Sequence, residues 1–157
     1  MLAVDITEDM MQEATKQAAS YPILSGSITN GHSAVLGCLG EVIVQRHLSV
    51  EPANTYDYDL IHKGKRIDVK TKRCDTEPRG YYDCSVTAHG SKQDCDEYIF
   101  VRILLNFKRA WILGSISKEE FFSKARKFNR GDVDPDNGFK FRATCYNIAI
   151  NQLGNVE

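Results

Sequence analysis

Apolar residues change their spacing several times along the chain, and each change marks an element. Met10, Met11, Ala14 and Ala18 repeat at helical intervals behind Thr7, whose hydroxyl can cap a helix running to about Ala19. Tyr21 to Gly31, rich in Ser, Gly and Asn, reads as a loop. Val35, Leu36, Leu39, Val42 and Ile43 then predict a second helix over about Ser33 to Leu48. Alternation follows: Tyr56 to Ile61 and Arg66 to Lys72 read as two strands joined at Lys63-Gly64, and Cys84 to Ala88 as a third. Glu97 to Leu105 is nearly continuously apolar, the pattern of a central strand covered on both faces, and Arg109 to Ile116 gives a fifth strand. Ser117 with Glu120 has capping-box spacing and opens a helix that buries Phe121, Phe122, Ala125 and Phe128. An acidic loop, Gly131 to Gly138, precedes a closing strand from Thr144 to Ile150. With no repeat and no linker, residues 1–157 read as one α/β domain, a mixed central β-sheet flanked by α-helices.

Composition narrows the class. A chain of 157 residues can bury about 70% of its unfolded surface. Hydrophobic residues at 42% and charged residues at 26% exclude a disordered or fibrous chain. The longest apolar stretch, Tyr98 to Leu105, is interrupted by Arg102 and falls short of the roughly 18 residues of a membrane span, so no membrane association is expected. Asp5, Glu8 and Asp9 stand where a secretory signal would be basic and then apolar, and five cysteines without a C-x-x-C pair fit a reduced, cytoplasmic setting. The formal charge of −1 conceals an asymmetry: residues 1–61 hold eight acids against two bases, a balance of −6, which leaves +5 on the rest. That basic half is either a patch for a polyanion or an ordinary solvated face.

The stretch from Tyr56 to Lys70 carries the chemistry. A two-residue turn at Lys63-Gly64 pairs His62 with Lys65, puts Asp59 opposite Asp68 and Asp57 opposite Lys70, and sends Leu60, Ile67 and Val69 to the other face. Directly opposed side chains have Cβ atoms about 4.5–5.5 Å apart, so two carboxylates there repel unless a cation lies between them. A divalent metal ion suits that position, with Lys70 on the same face to hold a water or a phosphate oxygen. The alternative is a surface hairpin with Asp–Lys cross-strand pairs. Glu41 sits on a stripe of the second helix whose neighbours Ala34, Gly37, Cys38 and Gln45 are small or polar, which lets another element or a ligand come close.

An Asp in one strand, a hairpin, and Asp68-Val69-Lys70 in the next resembles the PD-(D/E)XK nuclease superfamily, the restriction-endonuclease-like fold. Asp59 matches its first acid and Asp68-Val69-Lys70 its D-x-K element, while Gly37-Cys38-Leu39-Gly40-Glu41 resembles the G-x-x-G-E of several branches. The likeness covers roughly residues 33–130; Tyr58 stands in place of the proline of the family name, as in many members. It implies a nuclease hydrolysing DNA phosphodiesters, with Asp59, Asp68 and Glu41 around Mg²⁺ or Mn²⁺ and Lys70 acting on the attacking water. Lys63, Lys65, Arg66, Lys72 and Arg73 would touch flanking phosphates. Small members, including junction resolvases and phage-encoded nucleases, are often homodimers and suggest structure-directed cleavage in the cytoplasm, of the host where phage-encoded. A second expectation is a nucleic-acid-binding module on the same fold without catalysis.

Other groupings are weaker. Cys74, Cys84, His89 and Cys95 are spaced ten, five and six apart, which matches no common zinc site. Asp132, Asp134 and Asp136 begin like a calcium loop, but Asn137 and Ala143 occupy the positions of its turn glycine and bidentate Glu, so an exposed turn is expected. Trp111 reads as core or interface.

Overall fold

The early helical periodicity forms α1 (Glu8–Ser20) and α2 (His32–Leu48). The Met10 amide donates to Thr7 Oγ1 at 3.3 Å, the cap that the sequence supplies for α1. Residues 1–20, 32–53 and 55–157 are described in this computed structural model, 32 and 33 by backbone alone; the expected loop at 21–31 lies outside them. The described residues form eight strands: β1 (Leu2–Asp5), β2 (Leu60–His62), β3 (Lys65–Cys74), β4 (Asp83–Thr87), β5 (Glu97–Leu104), β6 (Arg109–Ser117), β7 (Arg126–Phe128) and β8 (Cys145–Ala149). One short helix, α3 (Lys118–Lys124), follows β6. No described helix is long and apolar enough to cross a membrane.

The strands make two sheets rather than the one expected. Five run in the order β1-β6-β5-β3-β2, mixed because β3 and β5 are parallel and the other pairs antiparallel. The remaining three, β4-β8-β7, form an antiparallel sheet of their own. β5 is the central strand of the larger sheet, as its continuous apolar run predicts. Its odd residues Ile99, Val101 and Ile103 join Ile67, Val69 and Leu60 against Leu39, Val42 and Ile43 of α2. Its even residues Tyr98 and Phe100 face the opposite side, with Trp111 of β6, Phe121 of α3 and Val86 and Ile148 of the smaller sheet. Burying a large side chain is worth about 1.5–3 kcal/mol, so these two apolar layers fix the sheet between α1 and α2 on one side and α3 and the small sheet on the other.

Three other expectations are corrected. β1 has no signature in the local pattern; it is a four-residue edge strand whose partner is the distant Arg109–Ile112. The helix after Ser117 stops at Lys124, although the Glu120 amide does donate to Ser117 Oγ at 3.2 Å. Ala125 and Phe128 therefore do not lie on it: the backbone turns extended at Ala125, and Arg126–Phe128 pairs with β8 instead. β2 is only three residues long, so Tyr56 to Asp59 lie outside the strand and Asp57 does not face Lys70. Asp57 instead accepts a hydrogen bond from the Asp94 amide at 3.2 Å.

The register of the hairpin is the expected one. Leu60 pairs with Ile67, Ile61 with Arg66 and His62 with Lys65. Lys63 (φ 50°) and Gly64 (φ 78°) both take the left-handed conformation of a two-residue turn whose twist matches the strands.

Candidate active site

Because β2 begins only at Leu60, β3 beyond Ile67 has no strand neighbour on that side among the described residues, and its freed edge is where the acids gather. The Asp59 amide donates to the Ile67 carbonyl at 2.8 Å, and Asp59 Oδ2 accepts from the Val69 amide at 2.6 Å. The carboxylate thus stands in for the missing strand. Asp68, 3% exposed, projects from the even face of β3 together with Lys70. Lys70 Nζ lies 2.6 Å from Asp68 Oδ2, an oxygen that is otherwise buried without a hydrogen bond. The hairpin register therefore brings Asp59, Asp68 and Lys70 together as the sequence implies.

Glu41 reaches the same place from α2. The helix lies on β3 at Gly40, with no side chain to hold it off: a Cβ there would stand 1.9 Å from Thr71 Oγ1. The next residue is Glu41. Burial pushes its pKa up to about 7, the Asp68 charge adds to the rise, and Lys70 opposes it. Burial likewise raises Asp59 to about 8, with Glu41 and Asp68 adding to it and the Val69 amide and Lys70 lowering it. Asp68 is raised by burial too, against the pull of Lys70 and a hydrogen bond from Asp59. Three acids on three elements are thus short of positive charge, and Lys70 is the cation whose charge acts on all three. Cys38, one helical turn before Glu41, is pushed up to about 12 by burial and by the charges of Glu41 and Asp59, so it is an inert thiol.

Two members of the site carry no sequence signal. Gln93, beside the 3₁₀ turn Gly90–Lys92, accepts from Lys70 Nζ through Oε1 at 2.8 Å and donates through Nε2 to the Tyr56 carbonyl at 2.8 Å. Lys118, at the start of α3, donates to the Gln93 carbonyl, and its charge favours the ionised form of Asp68. Gln93 fixes the direction of the Lys70 ammonium and ties it to the segment before β2. Neither residue lies in a periodic pattern or near the hairpin in sequence, so only the fold reveals them.

The expected phosphate contacts fare unevenly. Lys63 is exposed at the turn and Arg73 is exposed on β3. Lys65 pairs with Glu97 at 2.8 Å, and Arg66 with Asp94 at 2.5 Å and Asp96 at 2.8 Å, so both already have carboxylate partners. Lys72 is likewise exposed on β3, where it lines a cleft between the two sheets. The five cysteines are buried and free, so Cys74, Cys84 and Cys95 hold no disulfide. Asp134, expected in an exposed turn, is buried; its oxygens accept from the Asp136 amide and Asn137 Nδ2, which close the loop. Trp111 is core.

Among the described residues, no three His, Cys, Asp or Glu side chains stand in a metal-holding group. No protein-family model and no curated protein matches the chain.

Proposed function

We propose that the chain is a metal-dependent nuclease that hydrolyses DNA phosphodiesters, built on the restriction-endonuclease-like plan that its motifs resemble. The observation that carries this reading is the convergence of Glu41, Asp59 and Asp68 from a helix, a loop and a strand around Lys70. Buried like charges are costly, and a fold that collects three of them has a use for the field they make. The order of α2, hairpin and further strands supports the same plan.

Mg²⁺ or Mn²⁺ fits the donors by their chemistry. Asp59 and Asp68 offer hard carboxylate oxygens and Glu41 a third, and Asp68 Oδ2 is a buried acceptor that Lys70 Nζ meets at 2.6 Å. When bound, such an ion lowers the pKa of a water and offsets negative charge on phosphate oxygens. Lys70 supplies a fixed cation where charge develops as the water oxygen bonds to phosphorus and a P–O ester bond breaks. Gln93 holds that ammonium in place, and Lys63 and Arg73 remain free to meet flanking phosphates. A homodimer acting on a DNA structure rather than a sequence belongs to the same proposal.

A second reading, a nucleic-acid-binding module on the same fold without catalysis, needs only the exposed cations Lys63 and Arg73. Incubation with plasmid and with branched DNA, in Mg²⁺, in Mn²⁺ and in EDTA, separates the two. Metal-dependent cleavage that Asp68→Asn abolishes supports the nuclease; a mobility shift in EDTA without cleavage in any metal supports the binding module.

A further inference from the structure

Beyond Lys70, the even face of β3 continues to Lys72, one strand repeat of about 6.6 Å along the same face. There the surface opens into a cleft of about 740 Å³ between the larger sheet and β4-β8-β7, within the range of small-ligand sites. Lys72 and Arg102 are register partners on the parallel strands β3 and β5, so two cations lie side by side in its wall. Arg102 is buried, and among the described residues its guanidinium donates to the carbonyls of Arg73 (3.4 Å) and Asp83 (2.7 Å). Adjacent like charges destabilise a sheet, and a buried cation without a carboxylate is costlier still.

The acids of the cleft relieve this pair only in part: the charge of Asp83 favours the Lys72 ammonium, while desolvation and Arg102 oppose it, and none makes an ion pair with either cation. Asp83 binds Arg126 and Asn147, Asp136 binds Arg126, and Asp134 closes its own loop. Among the described residues, Lys72, Arg102 and Arg142 have no ion-pair partner, and all three line the cleft. On its rim stand two large rings with free faces, Tyr81 (66% exposed) and Phe139 (54% exposed). Each is propped edge-on by the ring beside it, Tyr82 at 5.0 Å and Phe141 at 5.3 Å.

An anion-seeking pair under two exposed rings has the chemistry of a nucleotide site. We propose that this cleft binds an unpaired nucleotide of a nucleic-acid strand, its phosphate on Lys72 and Arg102 and its base against Tyr81 and Phe139. The base must be unpaired, because the faces of a base in a duplex are already stacked on its neighbours. The position of the cleft, one step from Lys70, deepens the nuclease reading and rests on it only for the claim that this nucleotide adjoins the bond to be cut. The substrate is then a strand with a flap, gap or branch, not a continuous duplex.

The test uses the full chain in EDTA, where no cleavage interferes, and measures fluorescence anisotropy with a labelled oligothymidylate and with an abasic strand of equal length. The expected result is tighter binding of oligothymidylate, with Tyr81→Ala or Phe139→Ala weakening it about tenfold and leaving the abasic strand unchanged. Lys72→Met is expected to weaken both strands and to reduce the slope of log affinity against log salt by about 1. Equal binding of the two strands by the wild type, no binding at all, or a base preference that survives both ring substitutions overturns the proposal. Cleavage assays in Mg²⁺ keep the two readings apart. Cleavage without base-dependent affinity removes the cleft and keeps the nuclease. Base-dependent affinity through Tyr81 and Phe139 without cleavage in any metal keeps the cleft and removes the nuclease.

Discussion

Gly40 of α2 and Thr71 of β3 are in such close approach that a single added methyl at position 40 would overlap Thr71 Oγ1. This contact decides how near Glu41 comes to the acids of β3. Gly40→Ala is therefore expected to cost about 1–3 kcal/mol, the usual range for overpacking, and to move Glu41 away from Asp68. Thr71 Oγ1 is buried without a partner, so Thr71→Ala loses no hydrogen bond. Chemical denaturation of both single variants and the double variant checks the coupling: the double should recover part of the Gly40→Ala loss, whereas additive losses would show that the two residues do not meet.

The acid cluster sets a pH dependence whose sign follows from the raised pKa values. Glu41 and Asp59 bind protons in the folded chain up to about pH 7 and 8, but release them near their ordinary values of 4.5 and 3.8 when unfolded. Between about pH 4 and 8 the folded state holds more protons, so their contribution to stability is full below pH 4 and is lost as pH rises toward 8. In EDTA the melting temperature should fall across this window. Asp59→Asn, neutral at every pH, should flatten the fall and raise the melting temperature at pH 8. A melting curve for Asp59→Asn as steep in pH as the wild type would contradict the assignment.

On the proposed nuclease reading, Lys70 and Gln93 should separate in kinetics from residues that would only hold DNA. Lys70→Met keeps most of the bulk and removes the charge; the single-turnover cleavage rate should fall about 10²-fold or more, with DNA affinity in Ca²⁺ nearly unchanged. Gln93→Ala leaves the ammonium but frees its direction, so a smaller loss of rate is expected, again without loss of affinity. If either substitution lowers affinity and spares the rate, the lysine is a phosphate clamp.

The turn of the hairpin gives a test on stability alone. Gly64, at φ 78°, occupies a conformation that costs an L-residue about 1–2 kcal/mol, and Gly64→Ala should lose roughly that in urea denaturation. Lys63, at φ 50°, already bears such strain, so Lys63→Asn should be neutral or stabilising. A loss with Lys63→Asn would mean that the lysine side chain contributes contacts that its exposure does not suggest.

Local patterns were enough for α1, α2, the hairpin register and the central position of β5, because periodicity and the Lys63-Gly64 turn act within a few residues. They failed where distant pairing overrides local preference. Arg126–Phe128 continues a helical pattern yet becomes a strand because β8 offers hydrogen bonds, and Leu2–Asp5 is a strand only by virtue of β6. In the site, alternation placed Asp59, Asp68 and Lys70 together. It could not show that Asp59 leaves the strand to bind the Val69 amide, that Asp57 turns to Asp94, or that Gln93 and Lys118 arrive from more than twenty residues away. Nor could it show that Arg66 is already taken by two aspartates.

The parallel pairing of β3 with β5 also has a consequence for the order of events as the chain folds. The hairpin can form early from neighbouring residues, but β5 reaches β3 only after the chain has passed through β4 and the turn before Gln93, a slow non-local step. The acids of the hairpin and α2 are dehydrated only once β5 and the layers behind it close over them. Their mutual repulsion is thus a burden on the finished molecule more than on the path to it. Substitutions that relieve it, such as Asp59→Asn, should leave the refolding rate almost unchanged and slow unfolding, so that the charge cluster sets how long the native protein lasts rather than how quickly it forms.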